Sequence, residues 1–128
     1  MADQEFKADG GKWNPLLLFG SLAAQLRVVG AVLMYGAEKY EPNSWSKVPN
    51  AEERYEQALA RHIHDRNAGY KLDKETGLLH LAHIITNALF LMWFEMKRYP
   101  RKDFTTYNQP PQDHKKRPEP TRKDENVE

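Results

Sequence analysis

Apolar residues recur at Phe19, Leu22, Leu26, Val29 and Leu33, advancing by 3, 4, 3 and 4 positions, which is the spacing of one face of an α-helix. Asn14 and Pro15 supply a start signal: a capping side chain, then a proline whose fixed φ and missing N–H suit the first helical position. A first helix is therefore predicted from about residue 15 to Tyr40. Gly20 and Gly30 each weaken it by roughly 1 kcal/mol relative to alanine, and one of them is a candidate break. Turn-forming residues follow, Glu41-Pro42-Asn43-Ser44-Trp45-Ser46 and then Val48-Pro49-Asn50, and a second helix is predicted from about Ala51 to Asn67, ended by Gly69. The third helix has the longest apolar run, Leu78 to Phe94, with Asp73 as its expected cap and Pro100 beyond its end. No segment sustains the period-2 alternation of a strand, so the predicted fold class is all-α, a compact bundle of about three main helices.

Both ends depart from this pattern. Residues 1–13 are polar with a Gly10-Gly11 pair, while residues 100–128 hold five of the eight prolines with seven Lys or Arg and six Asp or Glu. The expected organisation is a flexible N-terminus over 1–13, a helical domain over 14–99 and a Pro-rich charged tail over 100–128. A solvated tail is one reading of the last segment; a packing arm that lays Phe104 and Tyr107 on a neighbouring subunit is the other. Three helices cannot easily hide the apolar girth of residues 78–94 within one chain, so a homo-oligomer is expected.

Composition narrows the function classes. At 128 residues and 40% hydrophobic content the chain supports one modest core. Nineteen Lys and Arg against eighteen Asp and Glu leave a net charge of +1, no bulk field for a nucleic acid polymer or an anionic membrane. With no Cys there is no disulfide, no thiolate nucleophile and no Cys-based zinc site, so a metal would need His and carboxylate ligands. Neither a signal-peptide core at the start nor a run of about 18 apolar residues occurs, so a cytoplasmic, non-membrane protein is expected.

Three groups of residues carry candidate chemistry. Thr76, His80, His83 and Asn87, spaced by 4, 3 and 4, would share one face of the otherwise apolar third helix. Such a stripe is either a satisfied polar seam or a set that water, ligand or metal satisfies, because leaving each group unpaired in a core costs about 1–3 kcal/mol. The second helix offers Glu52, Glu53, Glu56, Arg61 and His62. Glu52 and Glu56 at i, i+4 can hold a hard divalent cation or simply complement the helix dipole, and Arg61 can grip phosphate or pair with Asp65. The stretch Tyr35 to Trp45 mixes two tyrosines, Lys39, Asn43 and a tryptophan. Its aromatics can stack a base, Asn43 can read a base edge or ribose and Lys39 can meet a phosphate; equally, Lys39 can face the last carbonyls of a helix while Trp45 plugs the core.

Taken together, Gly36-Ala37-Glu38-Lys39-Tyr40, Asn43, Trp45, Arg61-His62, Asp73, Glu75-Thr76-Gly77, His80-Leu81-Ala82-His83 and Asn87-Ala88-Leu89-Phe90-Leu91 resemble the phage and bacterial dATP/dGTP diphosphohydrolase-like family, over about residues 13–98. The resemblance implies an oligomeric all-α protein that handles purine nucleoside triphosphates, akin to the MazG-type pyrophosphohydrolases that use magnesium carboxylates. The implied reaction is hydrolysis of a purine deoxynucleoside triphosphate to the monophosphate and pyrophosphate. Glu75, His80 and His83 would be catalytic; Lys39, Tyr40, Asn43, Trp45, Arg61, His62, Thr76 and Asn87 would bind the nucleotide; Glu56 and Glu75 would hold magnesium or manganese. Glu52-Glu53-Arg54-Tyr55-Glu56 fits the Glu-Glu-x-x-Glu half of the magnesium motif, but no Glu-x-x-Asp follows, and Tyr70 stands where many relatives carry Glu. A non-catalytic nucleotide-binding protein, one that needs no metal and sequesters a nucleotide-derived host signal, is the alternative. A structural helical oligomer whose polar stripe only sets register is the third reading.

Overall fold

The computed structural model describes residues 12–99 together with Phe104 and Thr105. The segments expected to form the flexible N-terminus and the Pro-rich tail lie, apart from residues 12, 13, 104 and 105, outside the described residues. The described chain is helical, as the periodicity predicts, with three α-helices: α1 (Ala23–Lys39), α2 (Ala51–Asn67) and α3 (His80–Arg98). A single-turn π-helix, Leu16–Gly20, precedes α1, and a 3-10 turn, Trp45–Lys47, lies between α1 and α2.

The start signal at Asn14 operates as expected: its Oδ1 accepts from the Leu16 amide at 3.0 Å, with Pro15 next in line. The helix predicted from residue 15 is not continuous, however. The Ser21 amide donates to the Leu16 carbonyl five residues back, at 3.1 Å, so the chain widens into a π turn at Gly20 before α1 begins. Of the two candidate glycines, Gly20 marks the break, and Gly30 lies within α1.

α2 keeps its predicted bounds. Glu52 and Glu53 sit in its first turn and His64 and Arg66 in its last, each complementing the helix dipole. Gly69, at φ +107°, follows its end in a conformation that side chains rarely adopt.

The third helix starts six residues later than a cap at Asp73 predicts, at His80. Asp73 caps no helix; its carboxylate Oδ2 instead accepts from the Thr76 amide and hydroxyl, both at 2.9 Å, closing a tight turn. Gly77, at φ +73°, completes that turn and donates to the Asp73 carbonyl at 2.8 Å. A bridge between Leu72 and Leu79 and the His80 amide bonded to the Lys71 carbonyl then fold residues 71–80 into a closed loop. Thr76 is therefore on this loop and not on the helix.

Contacts between α2 and α3 run in opposite chain order, His62 with His80, Tyr55 with Phe90 and Glu52 with Arg98, so the two helices are antiparallel neighbours. Val29 and Val32 of α1, Ala51 of α2 and Ala82 of α3 are the buried apolar residues. Trp45 packs flat on Phe90, with centroids 4.6 Å apart and planes 10° apart, and edge-on to Trp93 at 5.2 Å. Each such pair adds about 0.5–1.5 kcal/mol beyond its buried area. The Tyr55 hydroxyl donates to the Trp45 carbonyl at 2.6 Å, which ties the loop between α1 and α2 to the bundle. Along α3, Leu81, Ile85, Leu89, Met92 and Met96 remain 41–50% exposed at helical spacing. No helix among the described residues is long and apolar enough to cross a membrane.

Candidate functional site

The C-terminal half of α1, the loop from Tyr40 to Val48 and the facing sides of α2 and α3 enclose an open cleft of about 970 Å³. That volume suits a ligand of nucleotide size. Among the residues expected to bind a nucleotide, Lys39, Tyr40, Asn43, Trp45, Arg61, His62, Thr76 and Asn87 all line it, as do Glu75 and His83. His80 and Glu56 are not on its wall.

The floor is a network of buried polar groups. His83 is buried, and its Nε2 lies 2.8 Å from the Thr76 hydroxyl. That hydroxyl donates its one proton to Asp73, so it accepts from His83, and the imidazole carries its proton on Nε2. The Leu78 amide donates to the same oxygen at 3.2 Å, which completes its bonding. Thr76 thus reaches His83 from the loop, although the spacing predicts it about two turns back on the helix. His62 stacks on His83 with ring centroids 4.4 Å apart and planes 6° apart, and its Nδ1 lies 2.8 Å from Nδ1 of His80, the most buried side chain described, 2% exposed.

Electrostatics follow from this burial. Desolvation holds His62 below the ordinary histidine range, with the nearby His83 adding to the effect. Burial lowers His83 in the same way, against the pull of Asp73. At Asp73 burial opposes ionisation, but the two Thr76 bonds and the neighbouring imidazoles outweigh it, leaving the carboxyl below its usual value. Thr86 and Asn87, also buried, return their donors to the carbonyls of Ala82 and His83, both at 2.8 Å.

The rim is built differently. The Tyr35 hydroxyl donates to Glu75 Oε2, and Lys39 Nζ lies 3.5 Å from the same oxygen. The hydrogen bond from Tyr35 and the charge of Lys39 lower the Glu75 pKa; that pairing in turn raises Lys39, through the carboxylate charge, and Tyr35, through its bond. Glu75 Oε1 has no partner among the described residues.

Arg61 makes no ion pair with Asp65, whose Oδ1 lies 3.3 Å from His64 Nδ1. Arg61 and Arg54 line the cleft as exposed guanidinium groups with no ion pair among the described residues. Trp45 is half-buried in the aromatic cluster, so the core-plugging alternative describes it better than a stacking platform. Tyr40, 57% exposed, offers the accessible aromatic face.

Tyr35, in the stretch whose aromatics were expected to meet a base, does line the cleft, whereas Arg54 and Tyr55 as cleft residues and the placement of Asp73 were not foreseen from the sequence. The run Asp73-Lys74-Glu75-Thr76-Gly77 did contain a signal, an Asp and a Thr three apart before a Gly, the composition of a closed turn. Of the glutamates expected to hold magnesium or manganese, Glu75 lines the cleft and Glu56 does not, and Glu52, the i, i+4 neighbour of Glu56, has both its oxygens clasped by the guanidinium nitrogens of Arg98. Among the described residues, Glu41, Asp65, Asp73 and Glu75 are the carboxylates that line the cleft.

Comparison with known proteins gives one positive finding. A family model described as dATP/dGTP diphosphohydrolase, N-terminal, matches residues 2–104. No curated protein and no solved structure matches the chain.

Proposed function

The chain belongs to the dATP/dGTP diphosphohydrolase N-terminal family, and from that premise we propose that it binds a purine deoxynucleoside triphosphate in the cleft and hydrolyses it to the monophosphate and pyrophosphate. The observation that carries this reading is that two exposed guanidinium groups, Arg54 and Arg61, with no ion pair among the described residues, line the same cleft as the exposed ring of Tyr40. A planar fork matches phosphate oxygens, and an aromatic face matches a base. Asn43, held in the left-handed region at φ 62°, also lines the cleft and supplies an amide to read a base edge.

In this reading Arg54, Arg61 and Lys39 neutralise the charge of the triphosphate as it shifts toward the leaving pyrophosphate. A water attacks the α-phosphorus, the bond to the α–β bridging oxygen breaks, and Glu75 Oε1 takes the proton of the water. His83 and Thr76 are positioning residues that hold Asp73 and the loop carrying Glu75. His80 touches no cleft ligand and supports His62 from behind. No step is assigned to magnesium, since the glutamate set does not form its site.

A second reading, retention of an intact nucleotide, is favoured by one observation: Glu75 is already engaged by Tyr35 and Lys39, and Glu52 by Arg98. One experiment separates the two. The chain is incubated with dATP, dGTP and ATP, with and without magnesium or manganese, and products and protein-bound nucleotide are resolved by chromatography. Monophosphate with pyrophosphate supports hydrolysis, whereas intact nucleotide that stays bound supports retention. Neither turnover nor binding defeats both.

We also propose a homo-oligomer. The stripe Leu81, Ile85, Leu89, Met92 and Met96 has the spacing of a helix-packing face, and Leu89, Met92 and Met96 border the cleft, so a second copy seated there would help close it. Light scattering of the full chain tests this: Ile85→Lys should shift the mass toward the monomer.

A further inference from the structure

Three side chains near the base of the cleft bring metal-type donor atoms together. His62, Asp73 and His80 each offer one ligand-type atom, and these atoms all lie within 4.8 Å of one another. They come from three places: the middle of α2, the 71–80 loop and the first residue of α3. The two imidazoles meet Nδ1 to Nδ1 at 2.8 Å. Nitrogen to nitrogen is an unusual choice for a histidine that is 2% exposed, because one proton must serve both rings and neither has a carbonyl or carboxylate at that atom. Two imidazole nitrogens this close together, with a carboxylate oxygen beside them, are a donor set that a cation can use once the shared proton has left.

We propose that His62, Asp73 and His80 form a binding site for a first-row divalent transition ion. Two imidazoles and one carboxylate suit such an ion and do not suit magnesium, which prefers oxygen ligands. Three protein ligands with a further position toward the cleft is the arrangement of a reactive metal centre, while closed structural sites use four. The surroundings are those of a supported ligand set. Thr76 fixes the Asp73 carboxylate with two bonds to Oδ2 and leaves Oδ1 without a partner among the described residues. His83 lies flat against His62 and restricts the tilt of that ring. Such outer supports orient ligands and raise affinity.

This inference stands independently of the nucleotide reading. The test uses the full chain, stripped with a chelator, desalted, and equilibrated with zinc or with cobalt as a spectroscopic probe. Elemental analysis should find about one zinc per chain, and cobalt should develop visible absorption of a low-coordinate nitrogen and oxygen site. His62→Gln and Asp73→Asn should each lose bound zinc, with folding checked by circular dichroism. Thr76→Val should retain the site at roughly tenfold or more weaker affinity. His64→Ala, which removes an exposed imidazole that contacts Asp65, should bind like the parent. Uptake well below one equivalent overturns the site, as does full uptake by a folded His62→Gln, Asp73→Asn double variant. A chain that takes up no zinc yet hydrolyses dGTP overturns the metal site and spares the nucleotide reading. Zinc bound at these residues without nucleotide binding does the reverse.

Discussion

The floor and the rim of the cleft use similar residue types under opposite conditions. At the floor His62, His80, His83, Thr76 and Asp73 are buried or half-buried, and each is held by another member of the group. At the rim Tyr35, Lys39 and Glu75 form an equally close trio in which the Lys39 and Glu75 side chains are 45% and 63% exposed. Water can replace any rim partner, so that trio contributes little to stability and can yield to a ligand. No water competes as readily at the floor, so a lost partner there leaves a desolvated group. Burial, and not residue identity, decides which cluster is scaffold and which is contact surface.

Several substitutions would break or sharpen that contrast. The largest effect is expected at the floor: His80→Ala removes the most buried side chain and orphans His62 Nδ1, at a cost of about 2–4 kcal/mol in urea unfolding. If Glu75→Gln cost as much, the distinction between floor and rim would fail. Thr76→Val, which cuts the link between Asp73 and His83 at constant shape, should cost roughly 1–3 kcal/mol and speed amide exchange over residues 73–79. Arg61→Ala should leave the urea midpoint in place and weaken dGTP binding about tenfold, with binding of the unphosphorylated nucleoside unchanged, as read by calorimetry. The smallest effect is spectroscopic. Because the bond to Glu75 raises the Tyr35 pKa above 10.0, Glu75→Gln should move one phenol titration to lower pH in the ultraviolet, and high salt should have a similar but weaker effect in the parent. A titration that stays in place would mean the rim trio does not form in solution.

Much of the fold was legible in the residues themselves, for local reasons. Helix periodicity, the Asn14-Pro15 start and the Gly69 stop are short-range properties, and α2 lies where they place it, at Ala51–Asn67. The start of α3 was misread because 4, 3, 4 spacing from Thr76 imitates a helix, whereas the Asp73 carboxylate and the left-handed Gly77 stabilise a closed turn over the same residues. The site was legible in its membership more than in its arrangement. Lys39, Tyr40, Asn43, Arg61, His62, Thr76 and Asn87 do share one cleft, but spacing along one chain could not show that Trp45 is held flat on Phe90 or that Arg98 clasps Glu52, 46 residues away.

The amino-acid sequence alone determined an all-α chain, the residue types available for chemistry, and the exclusion of cysteine-based sites. The tertiary structure alone decided which of those residues meet. The antiparallel register of α2 against α3 sets His62 on His80 and His83, and the 71–80 loop returns Asp73 and Thr76 to the same place. Periodicity encodes the face on which a side chain lies, but the partner of that face depends on packing between segments distant in sequence, a long-range property that no local pattern specifies.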